Sequence, residues 1–408
     1  MANEYDVLKK ELEENKAHDE EMKNKAEEKA EDSSESKHRH HHHHHHHHHS
    51  GKKGKRRRHH RHHRHHRRHR NKKRVRRVLL YIGILFLLAV AVVVGSLFAM
   101  RKEGEFSMVA RDYNITAPEN LNVNLDDKGD YVTYNGERYK YNNDIINILF
   151  LGIDKKNSSD QSKQIGENRQ SDVITLCSIN KSEKKIVIFN VPRDIITDIS
   201  VFSPGGEYVG REKMPIALAY AYGDGKAKSC LNSIDAVSRL FYNLPIKTYF
   251  SMNLDGVAPI NDSVGGVDVK SPETIGEFVE GETYHLTGAQ ASDFIQRRSK
   301  ETADANLKRN ERQRVYMNAF LTKFMQKTKS DISVPIDLFN ASKQYSCTNL
   351  NADKITYLAT EFIFNRNMKF QYESVPVDVK QAGDRAENYV KEKEFYEKFL
   401  SAFYTKVK

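Results

Sequence analysis

One hydrophobic run in the chain is long enough to cross a membrane. It covers residues 78–100 without a charged side chain, and as a helix it would extend about 34 Å, against about 30 Å for the hydrocarbon core of a bilayer. A basic tract ending at Arg77 precedes the run, and acidic residues soon follow it. Because positive flanks stay cytoplasmic, the pattern predicts a single-pass membrane protein with residues 1–77 inside and residues 101–408 outside. The alternatives are a buried core helix and a cleaved signal sequence, but the hydrophobic run of a signal sequence is shorter and lies near the chain start.

Three later runs, rich in β-branched residues, predict neighbouring buried strands. They cover residues 145–151, 172–179 and 185–191, and each is nearly continuous in apolar character. Such runs are typical of strands in a sheet that is covered on both faces. Two further strands are predicted at residues 247–253 and 267–269.

Helical patterns follow these strands, at residues 216–222, 230–242, 287–298 and 307–327. A sheet packed between helices is the economical way to bury the apolar surfaces of both kinds of element. The predicted fold class is therefore α/β, with a central, mostly buried β-sheet between helices, behind one N-terminal transmembrane helix.

A polar segment separates the membrane run, residues 78–100, from the first buried strand. Within it, Asn135-Gly136 lies between two alternating stretches, which is a strong signal for a two-residue hairpin. We therefore interpret residues 101–143 as an extracellular stalk and hairpin. Residues 144–328 are interpreted as the catalytic or binding domain, and residues 329–408 as a C-terminal part packed on that domain or extending it.

The first 77 residues have the composition of a disordered, low-complexity tail. An unbroken histidine run, residues 40–49, is followed by Arg-His-His triplets within a basic tract. The histidine run is either native or a purification tag. In both cases the positive charge predicts attraction of the cytoplasmic tail to anionic lipids.

The net charge of +11 belongs to the N-terminal part of the chain. Residues 1–100 hold 24 Lys and Arg against 13 Asp and Glu, whereas the remaining residues hold 42 of each kind. A neutral external part excludes nucleic-acid binding by bulk charge. The three cysteines, Cys177, Cys230 and Cys347, are too few and odd in number for a disulfide framework, and the sequence does not fix whether two of them pair.

Acidic and basic residues cluster at the ends of the predicted strands. Asp154 follows the first strand, Asp172 begins the second, and Arg193 and Asp194 follow the third. In open α/β sheets such strand ends are where binding sites assemble. The two aspartates at the first and second strands suit a hard divalent cation such as Mg²⁺.

A second, mostly basic group lies on the later helices and comprises Arg297, Arg298, Arg309, Arg312 and Gln313. Arg309 and Arg312 are three positions apart and share one helical face. Guanidinium groups bind phosphate and pyrophosphate through paired hydrogen bonds, so this group predicts a ligand of that kind. The alternative is a set of surface ion pairs on a solvated helix.

Several motifs occur in an order that resembles the LytR-CpsA-Psr family of Gram-positive membrane proteins. The resemblance runs from about Asn147 to Val315 and lies behind a single N-terminal anchor. The motifs are Asn147-Ile-Leu-Phe-Leu-Gly-Ile-Asp154, Gln170-Ser-Asp172, Val191-Pro-Arg-Asp194, Ala219-Tyr220, Gly265-Gly266-Val267, Leu286-x-Gly288-x-x-Ala291 and Arg309-x-x-Arg312-Gln313. The resemblance implies an enzyme, a phosphotransferase that moves a glycopolymer from a polyprenyl-pyrophosphate carrier to peptidoglycan with the help of Mg²⁺.

The resemblance also implies roles for individual residues. Asp154 and Asp172 correspond to the acidic positions near the metal, and the catalytic residues would be Arg193, Asp172, Arg298 and Arg309. The remaining residues with substrate contacts would be Arg169, Gln170, Asp194, Arg297, Arg312 and Gln313. Asp194 is expected to orient Arg193 through an ion pair, and the helix at residues 230–242 is expected to line an apolar slot for the lipid chain.

Three positions depart from the family pattern, because Gln170, Gln296 and Asn306 stand where the family carries charged residues. The neighbouring residues Arg169, Arg297 and Asp304 could take over these charges. If they do not, the alternative function is a non-catalytic module that binds polyprenyl phosphate or wall polymer and serves regulation.

Overall fold

The structure is a computed structural model that describes residues 64–153, 170–297, 305–331, 333–365, 367–382 and 385–407. The chain divides into two units, residues 1–78 and residues 79–408. Within the first unit, the described part is the start of helix α1, Arg64–Met108.

Helix α1 contains a segment, Ile84–Met108, that is long and apolar enough to cross a membrane by length and composition. All side chains from Ile84 to Ala99 are exposed, including Leu85, Phe86 and Leu87, each about two-thirds exposed. An exposed hydrophobic surface of this length fits a single-pass membrane helix.

Strands β1 to β16 follow helix α1 along the external part of the chain. Their bounds are β1 Val123–Leu125, β2 Tyr131–Tyr134, β3 Glu137–Tyr141, β4 Ile146–Ile153, β5 Ser171–Asn180, β6 Lys185–Asn190, β7 Ile196–Phe202, β8 Tyr208–Pro215, β9 Thr248–Asn253, β10 Val267–Lys270, β11 Thr283–Leu286, β12 Ser346–Thr348, β13 Lys369–Ser374, β14 Val377–Ala382, β15 Arg385–Val390 and β16 Tyr404–Lys406.

The helices after α1 are α2 Ala227–Leu240, α3 Val257–Ser263, α4 Gly288–Gln296, α5 Ala305–Ser330, α6 Val334–Ser342, α7 Ala352–Phe364 and α8 Glu392–Phe403. Short 3₁₀ turns lie at Ile216–Ala219 and Leu254–Gly256. The helix predicted at residues 216–222 is thus a 3₁₀ turn, because Pro215 and Gly223 bracket a segment of only seven residues.

A six-stranded sheet in the order β12-β9-β4-β5-β6-β13 forms the centre of the fold. Strand β4 is antiparallel to β5 and parallel to β9, and β13 is parallel to β6. Alternate side chains of β4 enter different clusters, since Leu149 and Leu151 belong to the main core, whereas Ile146 and Ile148 pack on the opposite face. Both faces are therefore covered, as the continuous apolar runs predicted, and the α/β fold class is confirmed.

The predicted hairpin at Asn135-Gly136 is confirmed by the pairing of β2 with β3. Both turn residues have positive φ, 50° and 78°, as a type I′ turn requires. The stalk predicted before it is not a separate segment, because Ile115 and Val132 belong to the main core and β3 pairs with the C-terminal strand β16. The pairing of β3 with β16 joins residues far apart in sequence, so no local sequence pattern predicts it.

The C-terminal part supplies both edge strands of the central sheet, β12 and β13. It also supplies helix α8, whose Phe395, Phe399 and Phe403 are fully buried in the main core. Residues 329–408 therefore complete the domain rather than extend it.

Candidate functional site

Three strand ends meet at one edge of the central sheet. Strand β4 ends at Ile153, which pairs with Ser171 at the start of β5. Strand β6 ends at Asn190, which pairs with Thr175 of β5. The antiparallel register therefore brings the chain after β4, the start of β5 and the loop after β6 to the same edge.

Arg193 and Asp172 form an ion pair at this edge. The Nη1 group of Arg193 donates a hydrogen bond to Oδ1 of Asp172, and both side chains are largely buried. The expected partner Asp194 is more distant, with its Oδ1 3.6 Å from Nε of Arg193, which exceeds hydrogen-bonding distance. Two carboxylates thus hold the guanidinium of Arg193, and Asp172 makes the hydrogen bond.

The loop that carries Arg193 is fixed by backbone hydrogen bonds. The amide of Ala217 donates to the carbonyl of Arg193 at 3.1 Å, and the amide of Asn388 donates to the carbonyl of Asp194 at 3.1 Å. The first bond comes from the 3₁₀ turn after β8, and the second from β15. Arg193 therefore sits on a loop that two distant segments hold in place.

Arg312 on helix α5 is buried and bonded to protein groups. Its side chain is 1% exposed, and Nη1 donates to the carboxylate of Glu273. Its Nε donates to the carbonyl of Phe294 at 2.8 Å, and its Nη2 donates to the carbonyl of Arg297. Arg312 thus fixes the backbone at the end of α4, next to the predicted substrate arginines.

Gln313 has a similar place, because its Nε2 donates to the carbonyl of Ile295 at 3.3 Å. Arg297 follows α4 and is exposed, but Asp293 on the preceding turn holds its guanidinium, with Nη2–Oδ2 at 2.6 Å and Nε–Oδ2 at 3.0 Å. Gly276 beside it has a φ of +59°, a backbone conformation in which any other residue would be strained.

Arg309 is 5% exposed on α5. Among the described residues, its Nε has no hydrogen-bond partner. A buried guanidinium nitrogen without a partner is costly, so a ligand anion would satisfy a donor that the described protein groups leave open.

Helix α5 and strand β13 contribute side chains to one hydrophobic cluster, through Phe324 and Tyr372. Burial raises the pKa of Tyr372 on β13, and the nearby positive charge of Arg314 on α5 opposes this rise. Tyr372 pairs with Ile188, two residues before the end of β6. Helix α5 therefore packs near β13, the strand that pairs with β6 ahead of the Arg193 loop.

Several predicted site residues lie outside the described residues, namely Asp154, Arg169, Arg298 and Asp304, as does the side chain of Asn306. Gln170 is exposed immediately before β5, and Gln296 is half-buried at the end of α4. In the described part, the structure brings together Asp172, Arg193 and Asp194 at the strand ends. The predicted residues of α4 and α5 meet around the Arg312 side chain.

Sequence reasoning missed Glu273, the partner of Arg312. The two residues are 39 positions apart, and Glu273 lies in an irregular segment after β10 without any motif around it. Only the fold brings this carboxylate under α5.

Helix α2, which corresponds to the helix predicted to line a lipid slot, packs on the main core through Cys230, Ile234 and Val237, and its contact with a lipid stays a prediction. Phe241 directly after it contacts Phe189 and Phe395, with ring centroids 5.3 and 4.9 Å apart. Partly buried aromatic residues lie on the opposite face of the sheet and on α5; they are Phe150, Phe324, Phe370 and Tyr372. That face of the sheet therefore carries aromatic side chains that are only partly buried.

The described residues contain no group of three or more side chains arranged to hold a metal ion. Mg²⁺ commonly uses one or two carboxylates, retained waters and substrate phosphates. The carboxylate of Asp172 at the strand end, together with Asp154 outside the described residues, has the chemistry for such a site.

The chain is similar in sequence to a family of bacterial proteins. The profile of the LytR_cpsA_psr family matches residues 108–402. Two similar proteins are named polyisoprenyl-teichoic acid–peptidoglycan teichoic acid transferase TagU. The one from Oceanobacillus iheyensis is 31% identical over 231 residues, 55% of this chain and 65% of that protein. The one from Bacillus cereus is 29% identical over 215 residues, 52% of this chain and 62% of that protein.

This chain spans less than two thirds of the length of either relative. A solved structure with a similar fold is that of the protein gbs0355 from Streptococcus agalactiae. It has a TM-score of 0.51 and 20% sequence identity, and the match covers 63% of this chain and 86% of that chain.

Proposed function

Because the chain belongs to the LytR_cpsA_psr family, we propose that it is a membrane-anchored phosphotransferase that moves a glycopolymer from a polyprenyl-pyrophosphate carrier to peptidoglycan. The similar proteins named TagU carry teichoic acid and peptidoglycan in their names, so a teichoic acid is the first polymer to test. The observation that carries the proposal is the Arg193–Asp172 ion pair at the strand ends. The buried Arg309 on α5, whose Nε has no partner among the described residues, supports it.

In the proposed reaction, a sugar hydroxyl of peptidoglycan attacks the phosphorus that carries the glycopolymer. The new phosphate ester bond forms as the bond to the bridging oxygen breaks, polyprenyl phosphate leaves, and the proton of the attacking hydroxyl passes to water or to the leaving phosphate. Negative charge builds on the phosphate oxygens, and fixed donors that face them lower the barrier. Arg193, held by Asp172 and Asp194, and Arg309, with its open Nε, are suited to donate to these oxygens.

Asp172 and Asp154 would hold Mg²⁺, which would supply further neutralisation of the pyrophosphate charge. The partly buried aromatic face around Phe150 and Phe370 is the surface proposed for the polyprenyl chain, because that chain needs an apolar contact outside the bilayer. This assigns the lipid to the side of the sheet opposite helix α2.

We further propose that residues 1–77 lie in the cytoplasm and the folded domain outside the cell, in an envelope of Gram-positive type. The charge asymmetry around α1 supports this orientation, and the basic tail would then lie against anionic lipids of the inner leaflet. A protease added to wall-stripped intact cells should remove epitopes after residue 101 and spare those before residue 77. Protection of the domain would overturn the orientation.

A second candidate function is binding of polyprenyl phosphate or wall polymer without turnover. It is favoured by Gln170 and Gln296, which stand where the family carries charges, and by the engagement of Arg297 with Asp293. The release of polyprenyl phosphate from a labelled lipid donor, with and without peptidoglycan, separates the two functions. Release that requires peptidoglycan supports the transferase function, and tight binding of the donor without release supports a binding module without turnover.

A further inference from the structure

The last two turns of helix α1 pack against the folded domain. Arg101, Gly104, Glu105 and Met108 are buried or half-buried, whereas Lys102, Glu103 and Phe106 are exposed. The covered positions follow the i, i+3, i+4, i+7 spacing of one helical face. We call residues 101–108 the docking segment.

An ion pair fixes the start of the docking segment to helix α7. Nη2 of Arg101 lies 2.6 Å from Oε1 of Glu361, whose side chain is 8% exposed. Asn365 donates from Nδ2 to the other oxygen of Glu361 at 3.1 Å, and the Arg101 guanidinium lies 5.7 Å from the ring centroid of Tyr357. A buried carboxylate with these partners holds one geometry, since loss of a partner would leave its charge uncompensated.

Gly104 sets the distance between the two helices. A Cβ at this position would lie 2.3 Å from the backbone oxygen of Asp353 and 2.7 Å from Cβ of Tyr357. Such distances mean that α1 approaches α7 backbone to backbone, so any larger residue would push the helices apart. Met108, 1% exposed, then closes the contact against Ile146 and the sheet.

Lys181 links the docking segment to the central sheet. Its Nζ donates to the hydroxyl of Tyr357 at 2.8 Å and lies 3.6 Å from Oε1 of Glu105. Burial acts to lower the pKa of Lys181, but the hydrogen bond to Tyr357 and the nearby carboxylates of Glu361 and Glu105 together raise it. The ammonium therefore stays charged at neutral pH and holds three elements together.

The docking segment and the candidate site lie at opposite ends of strand β5. Lys181 follows the last residue of β5, whereas Asp172 is its second residue. Ten strand residues at about 3.3 Å each separate the two ends by roughly 30 Å. The distance of the site from the docked helix end is therefore fixed by a strand rather than by a flexible linker.

We propose that the docking segment is a rigid mount that holds the Asp172–Arg193 site at a set distance from the membrane, with Arg101 and Glu361 as positioning residues. The proposal rests on the proposed function and identifies the donor as one embedded in the same bilayer as α1. A site at fixed distance meets a lipid-borne pyrophosphate in one orientation, which removes rotational freedom from the encounter. A water-soluble donor gains nothing from the mount.

The test uses the full chain in lipid vesicles with two donors, a long-chain polyprenyl-pyrophosphate glycan in the bilayer and a short-chain, water-soluble analogue. One variant inserts Gly-Ser-Gly-Ser between Met100 and Arg101, and its control carries the same insert in the exposed turn between Gly205 and Gly206. A second variant is Glu361→Ala, and its control is Lys102→Ala, whose side chain is 60% exposed.

We expect the Met100–Arg101 insert and Glu361→Ala to lower transfer from the bilayer donor by about tenfold or more and to leave the soluble donor within about twofold. Both controls should leave both rates unchanged. An unchanged transfer rate of these two variants with the bilayer donor, or an equal fall with both donors, would overturn the proposal that the docking segment is a rigid mount.

If the wild-type chain turns over neither donor, the proposed function fails. Hydrogen exchange then tests separately whether the docking segment is held rigidly against the domain. Amides of the docking segment should be protected in the wild type and exchange faster in Glu361→Ala, while those of β5 keep their protection. Equal exchange in both proteins would overturn the mount independently of any activity.

Discussion

Arg193 donates a hydrogen bond to Asp172 across the edge of the central sheet, which joins the loop after β6 to the start of β5. The carboxylate that the family resemblance assigns to the metal therefore also orients the arginine assigned to the pyrophosphate. Loss of either residue should disturb the other, and the two should not behave as independent parts of the site.

The first prediction concerns Arg193. Arg193→Ala should weaken binding of polyprenyl pyrophosphate by about 2–4 kcal/mol, because charge-assisted hydrogen bonds at a largely buried site are lost. Arg193→Lys should restore only part of the lost binding affinity, since an ammonium lacks the paired donors of a guanidinium. Calorimetric titration with the lipid measures the effect, and Arg314→Ala, which removes an exposed arginine paired with Glu311, is the control.

Circular dichroism must show that the Arg193→Ala protein is folded, because Asp172 and Asp194 lose a common partner. An unchanged lipid affinity in the folded variant would exclude this arginine from the site.

The second prediction concerns Asp172 and Mg²⁺. Asp172→Asn should lower transfer at a fixed Mg²⁺ concentration, and added Mg²⁺ should recover only part of it. Recovery is partial because the amide replaces a metal ligand and also weakens the hold on Arg193. The rate measured across a Mg²⁺ titration checks this, and full wild-type activity in EDTA would contradict a role for the metal.

The third prediction concerns the buried pair of Arg312 and Glu273. Arg312→Ala should lower the free energy of unfolding by about 3–5 kcal/mol, because it leaves a buried carboxylate uncompensated. Arg312→Met with Glu273→Leu should recover part of that stability, although the carbonyls of Phe294 and Arg297 still lose their donor. Thermal unfolding followed by near-ultraviolet circular dichroism of the tyrosines measures both.

A further readout of the double variant is transfer, which should stay low because the end of α4 is no longer fixed. A double variant that is both stable and fully active would show that Arg312 does not position this segment.

The fourth prediction concerns pH and the pair of Glu373 on β13 and Lys398 on α8, 2.6 Å apart. Burial acts to raise the pKa of Glu373, but hydrogen bonds from Lys398 and Gln371 lower it below its ordinary value. The pair therefore stabilises the fold fully above the ordinary glutamate pKa of about 4.5, and this contribution disappears as pH falls through the lowered folded value.

Lys398→Met should accordingly lower the free energy of unfolding by about 0.5–1 kcal/mol at pH 7. The difference in this free energy between variant and wild type should shrink towards pH 3. Lys393→Met, an exposed change on the same helix, is the control for helix propensity. A difference that grows on acidification would contradict the assignment.

The sequence predicted those elements whose signal is local. Strands β4, β5 and β6 were predicted because each is a continuous apolar run, and the β2–β3 hairpin because Asn135 and Gly136 tolerate positive φ. The two edge strands β12 and β13 were not predicted, since both are short or half-polar and acquire a partner only from distant strands. Their pairing is a property of the fold.

For the candidate site too, the sequence predicted individual residues but not the contacts between them. Strand-end charges such as Asp172 and Arg193 could be identified, because charged residues at the ends of buried strands are conspicuous. Their mutual ion pair could not, since Asp194 is the nearer residue in sequence and the antiparallel register of β5 and β6 selects Asp172. The internal role of Arg312 was hidden for the same reason, because its partner Glu273 lies on another element.

The fifth prediction addresses the positions that depart from the family pattern. If Arg169 and Arg297 take over the missing charges, neutralising both should abolish turnover with an effect beyond the sum of the single changes. Asp293→Ala should change turnover as well, since Asp293 holds the guanidinium of Arg297. If Arg169 and Arg297 do not take over the missing charges, Gln170→Arg with Gln296→Arg should raise the turnover rate. Steady-state release of polyprenyl phosphate by these variants measures the outcome.

The central claim is that this chain transfers a glycopolymer, and a single-turnover assay tests it most directly. Excess full-length wild-type protein in lipid vesicles is mixed with a labelled polyprenyl-pyrophosphate teichoic acid precursor and peptidoglycan, and label on the peptidoglycan is followed over time. We predict labelled peptidoglycan from the wild type and none from Arg193→Ala. Tight binding of the donor by the wild type without labelled peptidoglycan, together with product from Gln170→Arg/Gln296→Arg, would contradict the claim and identify the natural chain as a binding module.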